Sequence, residues 1–156
     1  MKNKIVTITG ATSGIGWATA LAFKKIGAKL IICGRRDEKL RKLCGILGNN
    51  TQILKFDVRD KKAVFEAFNG LPESWKNIEI LINNAGNAHG LDPVQNASID
   101  DWDAMIDSNV KGLMYVTKAV LPKMIESKKG HIINLGSIAG KEVYPNGNVY
   151  CSSKAA

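Results

Sequence analysis

The stretch Thr9-Gly10-Ala11-Thr12-Ser13-Gly14-Ile15-Gly16 constrains this chain more than any other. It follows a short apolar run, Ile5-Val6-Thr7-Ile8, rich in the β-branched residues that suit a buried strand. It opens a segment in which Ile15, Ala18, Ala22 and Ile26 recur at the spacing of one apolar helix face. A strand that turns through glycines into a helix makes a phosphate site. Gly10 can take backbone angles that a side chain forbids, Gly14 lets a pyrophosphate approach the main chain, and Gly16 lets helix and strand pack closely. The unpaired N–H groups of the first helical turn then point at the anion. The glycines are spaced G-x-x-x-G-x-G rather than in the common G-x-G-x-x-G.

Strands and helices alternate along the rest of the chain. Ala28–Cys33, Gln52–Phe56, Ile78–Ile82 and His131–Leu135 read as further strands, and Glu38–Leu47 and Lys61–Phe68 as helices. Ser98 followed by Asp101 resembles a capped helix start, from which a long helical pattern runs to about Glu126 with a kink expected at Pro122. A last element begins near Tyr150. Apolar strands alternating with helices imply an α/β fold, a doubly wound parallel sheet with helices on both faces. Its ligand belongs at the carboxyl ends of the strands. Loops are short and nothing marks a second domain, so residues 1–156 read as one domain.

Composition narrows the function classes. With 45% apolar and 23% charged residues, the chain reads as an ordinary soluble protein. It has no membrane-spanning stretch and no signal-peptide pattern, which points to the cytoplasm. Cys33, Cys44 and Cys151 form no C-x-x-C pair, and His89 and His131 have no partners at metal spacing, so no metal site is expected. The net charge of +8 comes largely from scattered lysines without interleaved aromatics. A solvated surface that attracts an anionic cofactor and a small-molecule substrate fits this better than nucleic acid.

The end of the second strand decides which dinucleotide is held. It reads Cys33-Gly34-Arg35-Arg36, with no acid before Asp37. Two adjacent guanidiniums match the oxygens of a ribose 2′-phosphate, so NADP is the expected cofactor. Gly10, Thr12, Ser13, Gly14, Ile15 and Gly16 are its expected contacts at the loop, with Arg35 and Arg36 beside them. Asp57-Val58 and Asn83-Asn84-Ala85-Gly86 close the third and fourth strands at the same rim. Asp57 can accept from an adenine amino group. Asn84 is expected to meet the ligand and Asn83 to link strands.

Ser137 follows the fifth strand, and Tyr150 and Lys154 lie four residues apart at the next helix start. That spacing shares a helix face, so the ammonium can sit beside the phenol and favour its ionised form. A phenol so tuned suits general acid–base work. Ser137 can donate to a carbonyl oxygen that is becoming an alkoxide.

Thr9–Gly16, Asn83-Asn84-Ala85-Gly86, Asn109, Ser137 and Tyr150-x-x-x-Lys154 together resemble the short-chain dehydrogenase/reductase superfamily, in order along the whole chain. The resemblance implies a Rossmann fold and hydride transfer between a nicotinamide and a substrate carbon. It implies Tyr150 as acid–base group, Lys154 holding ribose hydroxyls, Ser137 placing the substrate oxygen and Asn109 completing a proton relay through a water. Cys33–Arg36, Leu71–Trp75, Ala97–Trp102, His131–Asn134 and Gly147–Tyr150 are most similar to NADP-dependent 3-hydroxy acid dehydrogenases, also described as serine or allo-threonine dehydrogenases. Members oxidise small 3-hydroxy acids, reduce the corresponding aldehyde acids, and are usually tetramers. A ketoacyl-type carbonyl reductase shares most of these motifs.

The sequence stops two residues past Lys154, whereas superfamily members continue for roughly another 90 residues. The expectation is therefore an N-terminal part of a longer reductase, without its C-terminal strands and with a last helix under two turns. The fifth strand would stand at an unpaired, apolar sheet edge. The alternative is a nucleotide-binding module without turnover.

Overall fold

The computed structural model describes residues 1–156. Its strands are β1 (Ile5–Ile8), β2 (Lys29–Gly34), β3 (Thr51–Lys55), β4 (Ile80–Asn83) and β5 (His131–Asn134). All four pairings are parallel, in the order β3-β2-β1-β4-β5. The chain builds outward from β1 in one direction, then returns to β4 on its other side. That reversal opens a crevice above the carboxyl ends of β1 and β4.

The crossovers are α1 (Gly14–Lys25), α2 (Asp37–Leu47), α3 (Lys61–Asn69), α4 (Ile99–Ile106) and α5 (Leu113–Ser127), and α6 (Asn148–Ala155) follows β5. Successive strand residues point to opposite faces, so the sheet divides the core in two. Val6, Ile8, Leu30, Ile32, Ile80 and Ile82 pack with Ala20 of α1 and with Leu40, Leu43 and Leu47 of α2. Ile5, Ile31, Cys33 and Leu81 face the other way, against Val64 and Phe68 of α3 and Val116, Val120 and Met124 of α5. The central strands are buried throughout. β5, at the edge, is exposed at His131, Ile133 and Asn134.

Two expectations are overturned. Ile15, Ala18, Ala22 and Ile26 do not form the inner face of α1; Ile15 is 64% exposed and Ile26 50%. Gly16 and Ala20 are buried instead, with Trp17, Leu21 and Phe23 packed partly behind them. A Cβ on Gly16 would stand 2.5 Å from the Gly10 carbonyl oxygen and from Asn84 Nδ2. Close approach at this glycine fixes the helix's rotation, and the larger apolar residues follow.

The long helical run from Ser98 to about Glu126 is not one regular helix either; Pro122 lies within α5. Between α4 and α5 the path widens into a π-helical stretch, Asp107–Gly112. Such widened turns often mark functional sites. Here Gly112 presses on the end of β3, where a Cβ would lie 2.8 Å from Val58 Cγ2. Ser108 of this stretch lines the crevice, and Asn109 is buried next to it.

Candidate active site

A groove of about 540 Å³ runs over the carboxyl ends of β1 to β4, bordered by the glycine loop, the ends of β2 and β3, and the segment after β4. The loop is pinned on both sides. Thr9 N–H donates to Ile82 O at 3.0 Å and Ala11 N–H to Cys33 O at 3.1 Å. Gly10 is left-handed at φ 64°, with Asn84 and Ala85 within 3.2 Å of where a Cβ would sit. A Cβ on Gly14 would meet nothing within 4 Å, so the main chain is open to the groove there. Ser13, the N-cap of α1, makes no capping bond, and the first turn holds no acid. The positive end of the helix therefore faces the groove without a side-chain counter-charge.

Gly10, Thr12, Ser13, Gly14, Ile15, Arg35, Arg36, Asp57, Val58 and Asn84 all line this groove; Gly16 lies buried behind it. Arg36 reaches across the loop, its Nε donating to Thr12 Oγ1 at 3.1 Å and its Nη2 to Ser13 Oγ at 2.9 Å. Asp57 accepts from Arg35 Nη1 at 3.3 Å and from Arg59 Nη2 at 2.8 Å. Burial works against the Asp57 charge, but the Arg59 hydrogen bonds and the two nearby guanidiniums hold its carboxyl below the ordinary range. Three guanidiniums against one carboxylate leave the groove wall strongly positive. A phosphorylated dinucleotide fits this cradle of open backbone, uncapped helix end and surplus positive charge.

Asn83 and Asn84 divide the work at the end of β4. Asn83 Nδ2 donates to Thr117 Oγ1 and to Asn134 Oδ1, tying β4 to α5 and β5. Asn84 Nδ2 donates to the carbonyls of Thr9 (2.8 Å) and Gly10 (3.2 Å). Its amide braces the glycine loop while the residue forms part of the groove wall.

Behind Asn87 and outside the groove lining, Asn109 is buried and its side chain is fully engaged. Oδ1 accepts from Asn87 N–H at 2.8 Å, and Nδ2 donates to Asn87 O at 2.8 Å and to Ser153 Oγ at 2.9 Å. Ser153 in turn donates to Tyr150 O at 2.8 Å. With both amide hydrogens spent, Asn109 holds α6 in place.

Ser137 caps a short 3-10 turn, Ile138–Gly140, accepting from Ala139 N–H at 3.2 Å. Gly140 abuts the carbonyl of Lys154, leaving no room for a side chain, so this turn and α6 pack directly together. Lys154 Nζ donates to Leu135 O at 3.1 Å and lies beside Gly86, where a Cβ would be 3.4 Å away. The ammonium is thus anchored to the chain leaving β5. Tyr150 is half-buried on α6, and its hydroxyl takes no part in these bonds. At just over two turns, α6 is slightly longer than expected.

Sequence reasoning passed over Arg59, Asn87 and Ser108, all of which line the groove. Arg59 had a signal, a cation two residues beyond an acid at a strand end. Asn87 follows directly on Asn83–Gly86, and Ser108 lies on the π-helical stretch.

The chain matches the short chain dehydrogenase family over residues 4–156. An NADP-dependent 3-hydroxy acid dehydrogenase from Shigella flexneri is 50% identical over 151 residues, 97% of this chain and 61% of that protein. A crystal structure of serine dehydrogenase from Escherichia coli superposes with a TM-score of 0.94 at 50% identity, covering 97% of this chain and 70% of that one. A closed form of serine dehydrogenase complexed with NADP+ gives 0.95 at 50% identity, covering 97% and 61%. The chain spans about 61% of the length of the curated relatives it matches.

Proposed function

The chain belongs to the short-chain dehydrogenase family, and from that premise we propose that the protein is an NADP-dependent dehydrogenase of small 3-hydroxy acids, able also to reduce the matching carbonyl acids. The observation that carries this is the positive groove wall, three arginines to one carboxylate beside an uncapped helix end, with Lys154 of α6 lying next to Gly86 of the groove lining. A 3-hydroxy acid dehydrogenase and an NADP+ complex among the similar proteins support the same choice.

The cofactor, when bound, supplies the nicotinamide that exchanges a hydride with the substrate carbon. The chain's residues do the rest. Arg35 and Arg36 hold the 2′-phosphate, and the Gly14 backbone with the first turn of α1 holds the pyrophosphate. Val58 and Ile15 border the adenosine half. Tyr150 takes the proton from the substrate hydroxyl, or returns it to the carbonyl oxygen. Ser137 donates to that oxygen, and Lys154 serves the ribose from its anchor on Leu135. Asn109 fixes the height of α6 through Ser153.

The same reading makes the protein a cytoplasmic homotetramer. Met114, Leu121 and Ile125 form an exposed apolar stripe on α5, and the three cysteines are free thiols. No helix is long and apolar enough to cross a membrane.

The test is a panel of small 3-hydroxy acids, including serine and allo-threonine, with NADP+ and NAD+ as alternative acceptors. The expected result is turnover with NADP+ at least about tenfold more efficient than with NAD+. Equal use of the two acceptors would overturn the cofactor assignment. Oxidation of simple alcohols in preference to the acids would overturn the substrate class.

A further inference from the structure

Arg59, at the outer lip of the groove, belongs to neither the phosphate contacts nor the catalytic group. Its guanidinium grips Asp57 in a fork, with Nε 3.1 Å from Oδ1 and Nη2 2.8 Å from Oδ2, while its backbone N–H donates to Oδ1 at 3.0 Å. Arg35 reaches the same carboxylate by one contact of 3.3 Å, and its side chain stays 63% exposed. A forked guanidinium pair is the stronger geometry. One carboxylate therefore faces two arginines, and only one of them is committed to it.

We propose that Arg59 is a positioning residue for cofactor selection: by occupying the Asp57 carboxylate it leaves Arg35 free for the ribose 2′-phosphate. The proposal rests on the NADP reading above. Without Arg59, Asp57 would still be ionised beside an exposed guanidinium, and Arg35 would close into the fork that Arg59 vacated. An uncompensated carboxylate would also stand next to the phosphate position. Both changes oppose a 2′-phosphate, whereas a ribose 2′-hydroxyl carries no charge to be repelled. Asp107, the other acid near Arg59, is held by Lys111 at 2.8 Å and does not take over the role.

The test measures binding without turnover, using adenosine 2′,5′-bisphosphate and 5′-AMP as probes of the adenosine half. Titration calorimetry compares the wild type, Arg59→Gln, and the double variant Arg59→Gln with Asp57→Asn. Arg59→Gln is expected to weaken the bisphosphate about three- to tenfold and leave 5′-AMP within about twofold. The double variant, with no carboxylate left to capture Arg35, is expected to regain most of that loss. The readout is a ratio of two ligands in one sample, so partial unfolding affects both alike. A double variant as weak as the single one overturns the proposal, as does an equal loss of both ligands on Arg59→Gln. A wild type that holds the bisphosphate no tighter than 5′-AMP is a different failure, because it removes the NADP reading itself.

Discussion

The two ends of the candidate site, the groove and the α6 region beside it, are built differently. At the phosphate end, the glycine loop is bonded to β2 and β4, Arg36 is bonded to the loop, and Asp57 is bonded to two arginines. That end sits over central strands buried on both faces. At the α6 end, the bonds belong to the supporting groups, Asn109 to Ser153 and Lys154 to Leu135, while the Tyr150 hydroxyl stays outside the network. Binding at the first end draws on charge and backbone shape set by short-range packing. Under the proposed function, chemistry at the second depends on where α6 is held, so the two ends should fail in different ways.

The largest expected effect separates them most sharply. Tyr150→Phe removes the only group proposed to move a proton and touches nothing at the phosphate end. Turnover is expected to fall by about a thousandfold, while the NADP+ dissociation constant stays within about twofold. Steady-state kinetics alongside a binding titration would check both. A variant that still turned over would end the acid–base assignment, and one that lost NADP+ binding would show that the two ends are not separable.

Gly16→Ala probes the phosphate end alone. The added methyl would collide with the Gly10 carbonyl and with the Asn84 amide that braces the loop. A cost of about 1–3 kcal/mol is expected, with weaker binding of both NADP+ and NAD+ because the pyrophosphate cradle shifts. Gly14→Ala, where no atom lies within 4 Å, carries only the strain of a left-handed residue, about 1 kcal/mol. Chemical denaturation of both variants would test that order. If the two cost the same, close packing at Gly16 does not organise the loop.

The difference between the ends also explains what the sequence disclosed. The place of the glycine loop and Arg35-Arg36 at the groove was legible because each lies within a few residues of a strand end, where local spacing fixes position. The parallel sheet was legible because β1, β2 and β4 are buried on both faces and so read as apolar runs. The inner face of α1 was misread because its rotation is set by a glycine and an alanine, which apolar periodicity weighs lightly. The π-helical stretch has no distinctive residue pattern. Its position depends on Gly112 meeting Val58, a contact that forms only once the sheet is assembled. Ser108 lies on that stretch and lines the groove. Asp57 was placed at the right rim, but its partner two residues on was overlooked, so its pairing with guanidiniums became visible only in three dimensions.

The smallest effect sharpens the account of that pairing. Burial raises the Asp57 carboxyl, but the Arg59 hydrogen bonds and the Arg59 and Arg35 charges bring it below the ordinary range in the folded chain. A depressed folded value stabilises the fold fully above the unfolded-chain pKa, about 3.9 for aspartate. That contribution is lost as pH falls through the lower folded value. Asp57→Asn abolishes this titration, so its stability should lie below that of the wild type near neutral pH and converge with it on the acid side of about pH 4. Denaturant midpoints collected from pH 7 down to about pH 3 would show the gap closing. Acid limbs that ran parallel would mean the fork on Asp57 adds nothing to folding, leaving the selection of cofactor as its only use.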